Sequence, residues 1–268
     1  MGVDAVIEGI AKDRRALVRT LGLLDANLWL GKPEFFPRAE ELAPAELDAE
    51  LESYGIHGGL VSHWDSVRLS AQDGNRALLE AEGALPRNVW TAWTGLPLVP
   101  EEQGPLPGFT PHPRLRAVRL FPLTHHFLLT PWVVGSLCEW CISWNLPLLL
   151  WHVEIDWEQV HALAGAFPQL RIVIDTQWQK ILYHNRTLFS LMDCRQNILL
   201  ETSNFLGQDF LTWAARRWGA GRLLFGSFLP ASDPYAPIGM ILDAELSAEE
   251  KVLIAGGTLK NLIEGVRT

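Results

Sequence analysis

The 268-residue chain is short of several things, and each shortage excludes a class of function. It has only three cysteines, Cys138, Cys141 and Cys194, too few for a disulfide framework and in keeping with a reducing compartment. Four-ligand zinc sites need more donors than Cys138-x-x-Cys141 supplies, so buried thiols in a helix are the expectation there. It lacks any run of basic residues and carries a formal charge of −9, so neither nucleic acid nor an anionic membrane is an expected partner. No apolar run is long enough to span a bilayer; the longest, residues 146–153, is far too short. The first 22 residues include Asp4, Glu8, Asp13, Arg14 and Arg15, unlike a secretory signal, and a cytoplasmic location is expected. There is no Gly-x-Gly-x-x-Gly or Walker loop for a nucleotide, and no Gly-x-Ser-x-Gly elbow for a serine nucleophile.

What is present in quantity is apolar side chain, 48% of the chain, with 12 tryptophans. That composition fills a large core and is foreign to a disordered chain. Hydrophobic patterning alternates between two periods. Helical spacing marks residues 3–20 (Val3, Val6, Ile7, Ile10, Leu17, Val18), 44–54, 74–82, 131–145, 178–193, 208–218 and 247–255, with a further helix capped by Asp156. Ser247 and Glu250 have capping-box spacing, and Gly55 ends the second helix. Between the helices lie eight short β-type runs, at 23–31, 59–64, 88–93, 115–122, 146–153, 171–175, 197–202 and 222–227. Eight strands with helical connections predict a single α/β domain, a parallel (β/α)₈ TIM barrel over residues 1–268, with 1–21 a helical extension covering its bottom. A Pro- and Gly-rich loop over 95–113 is long enough to shape a site.

In such a barrel, site residues sit at the C-terminal ends of the strands. Trp29, Trp93, Trp151 and Trp178 fall near those ends, which predicts an aromatic-lined cavity rather than four separate core fillers.

Several stretches resemble the amidohydrolase family of metal-dependent hydrolases and decarboxylases. These are Asp25-Ala26-Asn27-Leu28-Trp29, the unit 45–63 with Tyr54-Gly55-Ile56, Gly74-Asn75-Arg76, Ala117-Val118-Arg119-Leu120-Phe121-Pro122, Phe167-Pro168-Gln169-Leu170-Arg171 and Arg222-Leu223-Leu224-Phe225-Gly226-Ser227. The resemblance implies a barrel with a metal at its mouth, yet the family's ligand positions do not carry ligands. The first-strand His-x-His pair is Asn27 and Trp29, the fifth-strand histidine is Trp151 (or His152 one residue on), the sixth-strand histidine is Thr176, and the last aspartate is Phe228. Indole and phenyl groups cannot coordinate, and a phenylalanine in place of that aspartate removes the carboxylate that would activate water. No metal ligands and no cofactor are therefore expected.

The polar groups left at the strand ends are Asp25, Asn27, Ser62, His63, Arg119, His125, His126, His152, Glu154, Asp175, Gln177, Glu201 and Ser203. Candidates for acid, base or anchoring roles are His63, Arg119, His152, Asp175 and Glu201. Candidates for lining a substrate are Asp25, Asn27, Trp29, Trp93, His125, Trp151 and Phe228. Arg119 suits a carboxylate or phosphate, or else an internal ion pair with Glu201 or Asp25. Asp175 and Glu201 form either an acid/base pair or a structural one.

Three readings follow. The first is a metal-independent enzyme of hydrolase or lyase type acting on a small aromatic or apolar molecule with an acidic group. The second is a non-catalytic binding or structural barrel, and the third a metallohydrolase with displaced ligands. An open polar pocket would favour the first and a packed mouth the second. Trp213 and Trp218, expected on the surface, would suit an interface between copies of the chain.

Overall fold

The computed structural model describes residues 3–33, 41–97, 112–207 and 209–267, with side chains from residue 12 onward. Most of the 95–113 loop and part of the loop after the first strand fall outside the described residues. Eight parallel strands follow one another in sheet order: β1 (Leu23–Leu30), β2 (Ile56–His63), β3 (Val89–Thr94), β4 (Leu115–Leu120), β5 (Leu148–Trp151), β6 (Ile172–Asp175), β7 (Ile198–Glu201) and β8 (Leu223–Leu224). The seam between first and last strand is closed by backbone hydrogen bonds from Ala26 to Phe225, Phe228 to Asn27 and Trp29 to Leu229, at 2.9 to 3.0 Å. The fold is a (β/α)₈ barrel, as expected.

The helices are α1 (Val3–Leu21), α2 (Leu47–Tyr54), α3 (Asp65–Arg68), α4 (Ala71–Ala81), α5 (Pro131–Trp144), α6 (Trp157–Ala166), α7 (Asn185–Cys194), α8 (Phe210–Trp218), α9 (Tyr235–Asp243), α10 (Ala248–Val252) and α11 (Thr258–Glu264). Local chemistry sets their ends. Asp156 accepts from the Gln159 amide, Ser247 and Glu250 form the capping box, and Gly55 closes α2 with φ 73°, a left-handed turn that costs glycine little. Pro131 opens α5, where a missing amide hydrogen is harmless. Cys138 and Cys141 are buried in α5, and burial pushes the Cys138 thiol up to about 12, so both are packing groups.

Three expectations change. The helix foreseen over 178–193 begins only at Asn185, after a turn and a short 3₁₀ segment, Ile181–His184. The bottom of the barrel is not covered by α1 but by α11, whose Leu259, Leu262 and Ile263 join the barrel's inner apolar layer. Val18 and Leu21 of α1 belong to the outer core between strands and helices. And Trp218 is buried, its indole nitrogen donating to Asp193, which leaves Trp213 alone of that pair as a partly exposed residue.

The interior is layered, because every second residue of a strand faces inward. At the lowest level Ala26, Leu60, Ala92, Ala117, Leu149, Val173, Leu199 and Leu224, one from each strand, meet α11. Two residues on, Ser62, Thr94, Arg119, Asp175 and Glu201 form a polar level. Two further still, Trp64 and Phe121 project over it, and Trp151, two residues beyond Leu149 and so level with Asp175, packs its ring in the same cluster.

Candidate functional site

The polar level is built from residues that the strand register makes neighbours. β4 and β6 flank β5, and across it the Arg119 guanidinium meets the Asp175 carboxylate in a salt bridge; the side chains are 1% and 0% exposed. Arg119 also donates to the Asn27 side-chain oxygen at 3.4 Å and lies 4.9 Å over the Trp29 ring. Asn27 reaches this level because β1 breaks its pairing register with β2 between Asp25 and Leu28. Such a bulge re-aims the side chains beyond it, so Asn27 and Trp29 face inward although Ala26 does too.

Asp25 holds that bulge. Its Oδ1 accepts from the Asn27 amide at 2.8 Å and from the Ser227 amide at 3.1 Å, tying β1 to the segment after β8. Glu201 does the same between β6 and β7, accepting from the Thr176 amide at 3.1 Å, the Ser203 amide at 2.5 Å and the Ser203 hydroxyl at 2.8 Å. Gly226 makes room for it, since a Cβ there would stand 2.2 Å from the Glu201 carboxylate.

Above the polar level lies an aromatic plug of Trp29, Trp64, Phe121, Trp151 and Phe228, none more than 2% exposed. Trp29 and Trp64 stack with ring centroids 4.3 Å apart, and Phe228 meets Trp29, Trp64 and Trp151 at 6.0, 5.7 and 5.8 Å. The Trp29 indole donates to Asn27 and the Trp151 indole to the Gln177 carbonyl, both at 2.8 Å, fixing the two rings. Phe228 turns into the plug through a left-handed backbone at φ 65°, held by the hydrogen bond its amide donates to the Asn27 carbonyl. Such a conformation is unusual for an aromatic residue and costs about 1–3 kcal/mol, which the packing of the ring must exceed.

Burial dominates the electrostatics. It raises the Asp25 carboxyl to about 7, against the hydrogen bonds from Ser227 and Asn27. It raises Asp175 to about 7 as well, with Arg119 pulling the other way, and it raises Glu201 despite that residue's hydrogen bonds. Three carboxyl groups face a single guanidinium in a water-poor barrel, and proton uptake relieves the imbalance.

Not every candidate joins this assembly. Asp25, Asn27, Trp29, Arg119, Trp151, Asp175, Glu201 and Phe228 do. Trp93 does not: with Ala92 and Thr94 facing inward it points outward, belongs to the outer core, and stacks on His112 at 5.9 Å. Trp178 is 40% exposed. His63 likewise faces away from the axis, its ring filling the space a side chain at Gly31 would need and its Nδ1 accepting from the Asp65 amide at 3.2 Å. His125 is tied to the Ser66 carbonyl at 2.9 Å and touches the plug at Phe121. Trp151, not His152, takes the inward position; His152 packs by Nδ1 on the Asp175 carbonyl at 3.2 Å and faces His184, burial lowering its pKa to about 4. Glu154 spends both oxygens on Thr124, at 2.8 Å each. Arg119 does form an internal ion pair, but with Asp175 rather than Glu201 or Asp25. Sequence reasoning missed Trp64 and Phe121, although each stands two residues beyond an inward polar residue and so shares its face.

No family model matches the chain, and no curated protein matches it. Solved structures do. An amidohydrolase from Burkholderia multivorans with bound HEPES is 14% identical over 90% of this chain and 99% of its own, with a TM-score of 0.66. Amidohydrolase 2 from Bifidobacterium longum subsp. infantis is 15% identical over 90% and 98%, with a TM-score of 0.64. A dihydroxybenzoic acid decarboxylase from a Polaromonas species, with bound manganese and the inhibitor 2-nitroresorcinol, is 12% identical over 91% and 97%, with a TM-score of 0.65. At these identities the likeness is one of fold alone, a (β/α)₈ barrel similar to those of the proteins just named.

Proposed function

We propose that this chain is a non-catalytic barrel of the amidohydrolase fold, in which the place of a reaction centre is taken by a structural ion-pair network sealed under aromatic side chains. The observation that carries the reading is the closed plug of Trp29, Trp64, Phe121, Trp151 and Phe228 directly over Arg119 and Asp175. A substrate needs a concave, accessible pocket with polar groups converging on it, and here those groups are covered.

A metal of the kind held by the Polaromonas decarboxylase does not fit the residues present. The ligand positions implied by the family resemblance carry an amide, two indoles, a hydroxyl and a phenyl group. Among the described residues no three His, Cys, Asp or Glu side chains are grouped to hold an ion. The Arg119 guanidinium in the same layer adds a positive charge where a cation would have to sit.

One observation favours a second reading, a metal-independent hydrolase or lyase for a small aromatic or apolar acid anchored by Arg119. Asp175 Oδ1, Arg119 Nε, Ser62 Oγ and Thr94 Oγ1 are buried with no partner among the described residues, and unsatisfied polar atoms beside carboxyls held near neutral pH are a mark of reactive sites. That reading requires the plug to open.

The two are separated by incubating the protein with dihydroxybenzoic acid and with small aromatic esters and amides, with and without manganese or zinc. Carbon dioxide release and hydrolysis are followed beside an Arg119→Met variant whose fold is verified by its melting transition. The proposal expects no turnover above that variant. Metal-independent turnover lost in Arg119→Met would establish the second reading, and metal-dependent turnover would refute both.

A further inference from the structure

Outside the barrel, where Gly55 leads into β2, the helices α1, α2 and α9 enclose a cleft of about 250 Å³ that none of the foregoing uses. α1 contributes Arg14, Arg15, Val18 and Arg19, α2 contributes Tyr54, and α9 contributes Tyr235 and Ile238. We propose that this cleft binds a small molecule carrying an oxyanion, carboxylate or phosphate, on an aromatic body.

The charge pattern points to an anion. Three guanidinium groups and the carboxylate of Glu52 line the cleft, with Glu50 and Asp233 acting on Tyr54 from its edge, on a chain whose net charge is −9. Little of their charge is spent elsewhere. The Arg14 contact to Asp243 is long, 3.8 Å, between side chains 50% and 77% exposed, and Arg15 and Arg19 have no carboxylate partner among the described residues. Arg15 and Arg19, four apart on one helix, present neighbouring forks on the same face, the geometry that grips a carboxylate or phosphate oxygen pair. Gly239 helps to seat Arg14, because a Cβ at that position would lie 3.0 Å from its guanidinium.

The remainder of the lining suits an apolar body. Val18 and Ile238 are buried at its floor, and the Tyr54 and Tyr235 rings meet edge to face with centroids 5.1 Å apart. Tyr235 is itself 61% exposed, so one ring face is free to cover a ligand. The site lies at the entry side of β2, away from the C-terminal ends of the strands, and it stands or falls independently of what happens under the plug.

The test is isothermal titration of the full chain with benzoate, with phenyl phosphate and with inorganic phosphate, repeated on Arg15→Gln/Arg19→Gln and on Tyr235→Leu. These three side chains lie on the surface side of their helices, and an unchanged melting temperature verifies that each variant is folded. We expect saturable binding of benzoate or phenyl phosphate, about tenfold weaker in the double arginine variant and weakened in Tyr235→Leu, with inorganic phosphate binding more weakly than the aromatic probe. Which of the two aromatic probes binds identifies the oxyanion. Absence of binding at millimolar probe, or equal affinity in the arginine variant, overturns the site; equal affinity for inorganic phosphate overturns the aromatic body.

Discussion

Arg119 and Asp175 set the terms of the interior at the scale of single residues. A buried pair is costly to form and costlier to halve, since removing one partner strands the other charge. Asp175→Leu, which leaves the Arg119 guanidinium without its acceptor, is therefore expected to destabilise the protein by about 3–5 kcal/mol in urea unfolding, whereas combining it with Arg119→Met, which removes both groups, should recover most of that loss. A double variant as unstable as the single one would mean that the pair contributes more than mutual neutralisation. Phe228 offers a second test. Phe→Ala in a packed core costs about 3–5 kcal/mol, but at φ 65° alanine keeps the backbone strain and glycine does not. Phe228→Gly should thus be more stable than Phe228→Ala by about 1 kcal/mol, the reverse of the order found on regular backbone.

The residue scale also shows what could be seen in the sequence. Arg119, Trp29 and Trp151 are legible at the strand ends, while Phe121 is missed although the same two-residue alternation that turns Arg119 inward carries on to it. Trp93 and His63 were misplaced because nearness to a strand end was allowed to outweigh the two-residue alternation that turns them outward. The partner of Arg119 was not legible, since it depends on which carboxylate stands across β5.

Among the elements, the strands and most helices follow from periodicity and caps, while the roles of α1 and α11 do not. Both are amphipathic, and nothing in the local pattern tells which of them meets the barrel's inner layer. The placement predicts contrasting costs. Leu262→Ala in α11 should lower stability by about 2–5 kcal/mol, whereas Leu17→Ala in α1, at a position 57% exposed, should stay within about 0.5 kcal/mol of the parent. Denaturant midpoints at unchanged slope would measure both, and the opposite order would place α1 at the barrel's bottom after all.

For the whole molecule, the buried titratable groups predict how stability depends on pH. Asp25 and Asp175 bind protons more tightly when folded, so the stabilisation they give is complete below their ordinary value of 3.8 and is lost as pH rises through about 7. His152, lowered from 6.5 to about 4, works in the opposite direction, adding stability as pH rises between those values. The raised carboxyls outnumber it, with Glu201 on their side. Melting temperature should accordingly decline from pH 5 to pH 7 and level off above, and Asp25→Asn should flatten the decline. A curve that rises steadily to pH 8 would show that the interior carboxylates are ionised at little cost.

The account rests most heavily on the proposal that a guanidinium–carboxylate pair under an aromatic plug leaves no place for a metal at the mouth of the barrel. Elemental mass spectrometry tests it directly, on protein purified without chelator and again after incubation with zinc or manganese and removal of the excess. The account predicts metal far below one equivalent in both samples. Near-stoichiometric metal that survives gel filtration would contradict it, and would require the Trp29, Trp151 and Phe228 side chains to leave the mouth of the barrel.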